Sequence, residues 1–391
     1  MKNEGVKRKK YTPIVKMRRE YFGGVIFRER PAFVAQINKE YTDAYNIPET
    51  EGAIMQDGVF SAPLDAHIAL TTRCNMFCKG CYNVREGDES KDISLDRAKA
   101  VIDKLAELGV FSLSFGGGEP TLHPNIFEIA AYAREKQILP NMTTNGLTMT
   151  EQFAEKCGVF GNVHFSIHKL DDINHVFSAI RIYRKASGKR PGINLLLTTE
   201  TVPHLDEILC KIKQSGIKLV LFLRYKTTAK NVDIQNLCVD NELGKISMRL
   251  KQLQRANKRL MFLYDCSLFE VLAENNFSDI NTYRKYDNNG CLGGNAYIAI
   301  DADGMYKPCS FWHEPFGDVS DIDFNYWIHN PQLNTFRNMR KGESCKQCEF
   351  EELCVGGCRL LYENILPCPS DCCDKGVRKN RDARNDSVSE K

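Results

Sequence analysis

The sequence has no apolar run long enough to span a bilayer and no charged-then-apolar leader, which reads as a protein that stays in the cytoplasm and contacts no membrane. Charge of one sign is also scarce. The 53 basic and 50 acidic residues leave a net charge of +3, too small to argue for nucleic acid or an anionic surface as the main partner. Cysteine is the residue in excess, at 16 among 391. In a reducing compartment, clustered cysteines point to metal ligation before disulfides. The length allows two or three domains with a sizeable core, and 42% hydrophobic with 26% charged residues is ordinary for a globular chain.

Three of the cysteines, Cys74, Cys78 and Cys81, stand in CNMFCKGCY, directly after an apolar run at 66–70 that reads as a strand. Three thiolates in one loop can hold three irons of a 4Fe–4S cubane and leave the fourth iron open to a small molecule. Structural zinc is the bland alternative, but it wants four closed ligands, and the next cysteine is Cys157. From 66 to about 255, strand and helix patterns alternate. Strands are expected at 66–70, 110–115, 139–144, 163–167, 193–198 and 219–223. Helices are expected at 95–108, 124–136, 151–157, 173–185, 203–215 and 242–257. Six βα units are too few for a closed eight-unit barrel. Ahead of them, 21–27 and 33–37 have strand composition around a Gly-Gly and an Arg-Pro turn.

After 256 the βα periodicity stops and cysteines become dense. Cys291, Gly304 and Cys309 fit Cx12Gx4C, with a hairpin expected around 301–304, and Cys345, Cys348, Cys354 and Cys358 fit Cx2Cx5Cx3C.

The CxxxCxxC loop after the first strand resembles the signature of the radical S-adenosylmethionine (SAM) superfamily, and the later cysteines resemble its SPASM extension. The resemblance implies an α/β fold: a partial (β/α)6 TIM-like barrel at 61–258, a small Cys-rich α+β SPASM domain at 259–374, a short N-terminal β element within 1–60, and a disordered tail at 375–391. It implies a SAM-binding 4Fe–4S cluster on Cys74, Cys78 and Cys81, and two auxiliary 4Fe–4S clusters. Gly117, Gly118 and Glu119 of the GGGEP turn match the motif that binds the SAM amino group. Ser166 and Asn194 match SAM carboxylate and ribose contacts, with Arg181 or Arg184 as a further carboxylate partner. Cys291, Cys309 and Cys358 fall to the first auxiliary cluster, and Cys345, Cys348 and Cys354 to the second. Cys266 is the candidate to complete the first, an open iron being the alternative, and Cys372 is the candidate for the second, against Cys368 and Cys373. The chain departs from the family pattern at four places. Gly80 replaces an aromatic before the third cysteine, His168 replaces an Asp, Lys285 stands where a cluster cysteine is common, and Ser310 replaces the Asp of sulfatase-type maturases.

The activity so implied is reductive cleavage of SAM to a 5′-deoxyadenosyl radical that abstracts hydrogen from a ribosomally made precursor peptide, with an external donor such as flavodoxin or ferredoxin. No catalytic side chain is singled out. The N-terminal strands could grip an extended peptide at a sheet edge or simply cap the barrel bottom. The rival readings are a sulfatase-type protein maturase and a non-catalytic zinc-binding scaffold.

Overall fold

A computed structural model describes residues 10–56, 58–83, 90–226, 233, 235, 240–268, 290–339 and 358–360. Cys345, Cys348, Cys354, Cys368, Cys372 and Cys373 lie outside the described residues, as do Lys285 and the 375–391 tail.

The N-terminal element is a three-stranded antiparallel sheet in the order β1 (Val15–Glu20), β2 (Gly23–Arg28), β3 (Phe33–Asn38), followed by helix α1 (Lys39–Ala44). Two strands were expected; β1 is the addition. Its sequence, VKMRRE, hides it from a hydrophobicity pattern because the buried positions are Arg18 and Glu20. These two are paired at 2.7 Å, and Arg18 also donates to the carbonyls of Ala62 at 2.6 Å, Pro63 at 2.9 Å and Leu108 at 3.1 Å. Gly23 and Gly24, expected in a turn, lie in β2.

The larger sheet has 10 strands in the order β10-β9-β8-β7-β6-β5-β4-β11-β12-β13. β4 (Asp65–Thr71), β5 (Ser112–Gly117), β6 (Leu139–Thr144), β7 (Val163–Ile167), β8 (Gly192–Leu197) and β9 (Leu219–Arg224) pair in parallel. Each leads into a helix: α2 (Leu95–Glu107), α3 (Ile126–Glu135), α4 (Glu151–Lys156), α5 (Asp172–Ser187), α6 (Leu205–Gln214) and α7 (Asp240–Ala256). A further parallel strand, β10 (Met261–Tyr264), pairs with β9. At four residues it is too short to show a period, and Met261 and Leu263 are exposed on it.

The expected hairpin forms from β11 (Tyr297–Ile300) and β12 (Met305–Lys307), with β13 (Gly317–Asp318) beside it. β11 adds in parallel to the outer edge of β4, so this region extends the barrel sheet. Helices α8 (Phe324–His329) and α9 (Pro331–Arg337) follow. No helix among the described residues is long and apolar enough to cross a membrane.

Alternation along the strands sorts the two faces. Ala66, Ile68, Leu70, Leu113 and Phe115 pack into the core with Ala98, Val101, Ile102 and Leu105 of α2, spaced for one helix face. The opposite face carries polar residues: His67, Ser114, Asn141, Thr143, His164 and Asn194. Room for the rings comes from neighbouring strands. A Cβ on Gly116 would meet His67 Nε2 at 2.2 Å, and one on Gly192 would meet His164 Nε2 at 2.6 Å. Closed βα barrels fill this space with branched apolar side chains; here it is lined for polar contacts.

At the amino ends of the strands, Ile14, Val25 and Phe27 of the N-terminal element pack with Phe60, Phe111, Leu139 and Ala296. Arg134 of α3 grips Glu29 with both terminal nitrogens, at 3.0 and 2.7 Å. The N-terminal sheet therefore closes the end of the barrel opposite the cysteine loop.

Candidate functional site

The loop carrying Cys74, Cys78 and Cys81 leaves β4 at its carboxyl end and is fixed from both sides. Arg73 donates to both oxygens of Asp92, at 3.0 and 2.6 Å, and Thr71 Oγ1 donates to Asp92 Oδ1 at 2.5 Å. From the turn after β5, Gly118 N donates to Thr71 O at 2.7 Å and Glu119 N to Arg73 O at 2.8 Å. From the turn after β6, Asn145 Nδ2 donates to Asn75 Oδ1 at 2.7 Å.

Gly117 and Gly118 let this loop approach closely. A Cβ on Gly117, whose φ is +118°, would meet Thr71 O at 2.3 Å, and one on Gly118 would meet Arg73 O at 2.1 Å. Glu119 is buried, and its carboxylate accepts from Thr121 N, Thr121 Oγ1, Thr144 Oγ1 and Asn145 N at 2.7–3.2 Å. Burial pushes its pKa up against the pull of these donors. The side chain thus ties the second strand end to the third.

Burial, then the charges of Cys81 and Cys74, push the Cys78 thiol up to about 12. Three sulfurs that oppose one another's ionisation this way suit a shared cationic centre, which reverses the balance and holds them as thiolates. His168 Nδ1 lies 3.6 Å from Cys78 Sγ. Burial lowers the pKa of His168, so the ring is neutral. Gly80 has a φ of +72°, and a Cβ there would meet the Tyr225 ring, its hydroxyl at 2.3 Å. The space of the missing motif aromatic is taken by a tyrosine just past β9.

Ser166 and Asn194 are register partners on β7 and β8, both buried. Asn194 Oδ1 is 2.7 Å from His164 Nδ1, and its Nδ2 is 3.5 Å from Thr143 Oγ1. Arg181 and Arg184 are not brought to this face: Arg181 donates to Ser178 Oγ on its own helix, and Arg184 caps the carbonyl of Ser215.

A second sulfur pocket forms where β10 and the β11–β12 hairpin converge. Cys291 and Cys358 are buried with Phe336 and Leu360, and Cys309, Phe311 and Trp312 pack on them. Cys266, just past β10, hydrogen-bonds to Cys291 through sulfur, so its pKa is raised and that of Cys291 lowered: one proton serves both. Cys291 also accepts from the backbone N–H of Gly293 and Arg359. Burial, then Cys291, pushes Cys309 up to about 12. The four residues expected around the first auxiliary cluster thus share one pocket, although Cys266 precedes the others by a segment outside the described residues. Trp312 anchors the apolar side of this pocket, with ring centroids 5.4 Å from Phe336 and 5.7 Å from Phe316; His313 is exposed.

Between the two sulfur sets, Tyr82 follows Cys81 and packs on Phe311 at 5.1 Å, and its hydroxyl is 3.3 Å from His67 Nε2. Sequence reasoning missed His67, Tyr225, Phe311 and Lys226; only the strand register, which sends His67 inward, was available as a signal.

Among the described residues no three His, Cys, Asp or Glu side chains close tightly enough to enclose a single metal ion. A cubane takes its sulfurs at wider spacing than a mononuclear centre does. Buried N–H donors with no acceptor among the described residues stand close in sequence to both sulfur sets: Asn83 Nδ2 two residues after Cys81, Trp312 Nε1 three after Cys309, and Arg359 Nε next to Cys358. Buried donors require partners, and cluster sulfides are acceptors of that kind. The residues present fit iron–sulfur clusters.

Comparison with known proteins agrees. The radical SAM superfamily model matches residues 68–197, and the SPASM iron–sulfur cluster-binding model matches 291–349. A PqqA peptide cyclase of Bradyrhizobium diazoefficiens is 25% identical over 325 residues, 77% of this chain and 82% of that one. An Fe-coproporphyrin III synthase of Methanosarcina barkeri is 23% identical over 332 residues, 76% of this chain and 83% of that one. The crystal structure of Streptococcus suis SuiB bound to precursor peptide SuiA superposes with a TM-score of 0.70 at 18% identity, covering 89% of this chain and 95% of that one. With its cysteine loop at the mouth of a partial βα barrel and a second sulfur pocket beyond it, the chain belongs to the radical SAM superfamily and carries a SPASM domain.

Proposed function

We propose that this radical SAM enzyme acts on a ribosomally made peptide, abstracting hydrogen from it to install a crosslink, excision or similar modification. The observation that carries the reading is the N-terminal sheet. β2 is buried and β1 is tied to the barrel through Arg18, while β3 is exposed or half-exposed along its length and pairs, among the described residues, only with β2. Its outer edge offers unpaired backbone groups with Phe33 and Val34 exposed beside them. Extended peptides add to such an edge by main-chain hydrogen bonds. The likeness to SuiB, solved with a precursor peptide, supports the same reading.

In this reading Cys74, Cys78 and Cys81 hold a 4Fe–4S cluster that binds SAM, with Gly117, Gly118, Glu119, Ser166 and Asn194 around the cofactor. Cys266, Cys291, Cys309 and Cys358 hold one auxiliary cluster; Cys345, Cys348, Cys354 and Cys372 are assigned to the other. Bound there, the cluster and SAM would supply one-electron chemistry able to take hydrogen from a C–H bond. The chain's own part is positional: the tied turns after β4, β5 and β6 fix the cofactor's place, and the polar barrel face, with neutral His67 and His164, orients what enters. An external flavodoxin or ferredoxin supplies the electron.

The test is anaerobic co-expression with short reading frames neighbouring the gene, followed by mass spectrometry of each peptide. The reading expects a brown protein with about twelve irons per chain and a mass change on one peptide. Zinc in place of iron would overturn it. So would 5′-deoxyadenosine release driven by an iron porphyrin and by no peptide, the outcome favoured by the similarity to the coproporphyrin enzyme.

A further inference from the structure

Immediately past β9, two consecutive residues face the two sulfur sets. Tyr225 packs on Gly80 of the cysteine loop, and Lys226, 9% exposed, reaches the ring of Phe311, which packs with Cys291, Cys309 and Cys358. Lys226 Nζ is 3.0 Å from Asp265 Oδ2 and stands 4.4 Å from the centroid of Phe311, the ring that also touches Tyr82. The two side chains of this ion pair are 9% and 13% exposed, so the ammonium is held by a carboxylate and largely out of water. Asp265 is itself committed elsewhere, its Oδ1 accepting from Ser267 N at 3.0 Å and Ser267 Oγ at 2.5 Å. A second buried cation, Arg359, is 7% exposed and directly follows Cys358 in the chain.

A cubane on four thiolates is an anion that becomes more negative when reduced, and cluster potentials follow the net charge and hydrogen bonds around them. A fixed cation in a desolvated pocket therefore favours the reduced form. We propose that Lys226, acting through the cluster and not on substrate, raises the reduction potential of the cluster held by Cys266, Cys291, Cys309 and Cys358. Asp265 opposes it and trims the effect. The inference rests on the reading above that these cysteines hold a cluster.

The test is an EPR-monitored redox titration of anaerobically reconstituted full-length protein carrying Cys74, Cys78 and Cys81 all changed to Ala, so that auxiliary signals are read alone. Lys226→Met is expected to move one auxiliary midpoint to more negative potential with iron content unchanged. Lys226→Arg should restore much of the shift, and Asp265→Asn should move the same midpoint the other way. A side chain needed only for packing would give no opposed pair of shifts. Unchanged midpoints in Lys226→Met with iron retained would overturn the proposal. If Lys226→Met loses its iron, the Asp265→Asn arm decides: a midpoint that stays or falls overturns it. Failure of the underlying reading looks different, because the protein with Lys226 intact would then hold only the iron of the other auxiliary cluster, about four per chain.

Discussion

Changing Glu29 to Ala should detach the N-terminal sheet from the barrel. The Glu29 and Arg134 side chains are 4% and 5% exposed, and the guanidinium makes both terminal contacts to the one carboxylate. Glu29 Oε2 also accepts from Ile14 N at 3.1 Å, and the Arg134 guanidinium lies 5.0 Å from the Tyr11 ring centroid. Removing the acid strands a buried cation and a backbone donor, which costs about 3–5 kcal/mol. The double change Glu29→Leu with Arg134→Met removes both charges and should cost clearly less than Glu29→Ala alone. The pH dependence follows from the pair. Burial raises the Glu29 pKa, but Arg134 and the Ile14 N–H outweigh it, so the folded value lies below the ordinary one. The contribution is thus complete above the unfolded value of about 4.3 and is lost as pH falls through the lower folded value. Hydrogen exchange of the β1–β3 amides, with denaturant unfolding of the whole chain, reads both effects. If Glu29→Ala leaves the β1–β3 amides as protected as in the unaltered chain, or the double variant is the less stable, the account of this interface is wrong.

Other expectations follow from the site. Cys266→Ala should open one iron of an auxiliary cluster to added thiolate or imidazole, visible as an EPR change absent from the unaltered protein; identical spectra would remove Cys266 from the ligand set. Changing Cys74, Cys78 and Cys81 to Ala should abolish 5′-deoxyadenosine formation while auxiliary iron stays, and persistent SAM cleavage would contradict the assignment. Gly80→Phe, which restores the residue type usual at that place, should impair SAM binding measured by calorimetry because the Tyr225 ring fills the space; Tyr225→Gly in the same chain should recover part of it. Glu119→Ala leaves buried donors unmatched and should destabilise the protein by about 1–3 kcal/mol in denaturant titration, with weaker SAM binding.

The helical and strand periods along 66–255 were enough to lay out the barrel, because each βα unit carries its own apolar face and makes most of its contacts with its neighbours. Cys74, Cys78 and Cys81 were legible for the same reason: a short spacing on one loop is a local fact. β1 was not, since Arg18 is buried through partners at Ala62, Pro63 and Leu108, and Glu20 through Ser61, which no local pattern encodes. Nor was β10, four residues whose pairing with β9 settles its state.

By itself, the sequence determined the chemistry on offer: sulfur ligands in two sets, a barrel to carry the first, and no excess of charge for a nucleic-acid partner. The tertiary structure alone decided what meets what. It brought Cys266 to Cys291, packed Tyr225 on Gly80, set Lys226 against Phe311 and docked the N-terminal sheet at the far end of the barrel. These contacts join residues far apart along the chain, and their energy comes from burial and desolvation, which exist only once the sheet has closed around them.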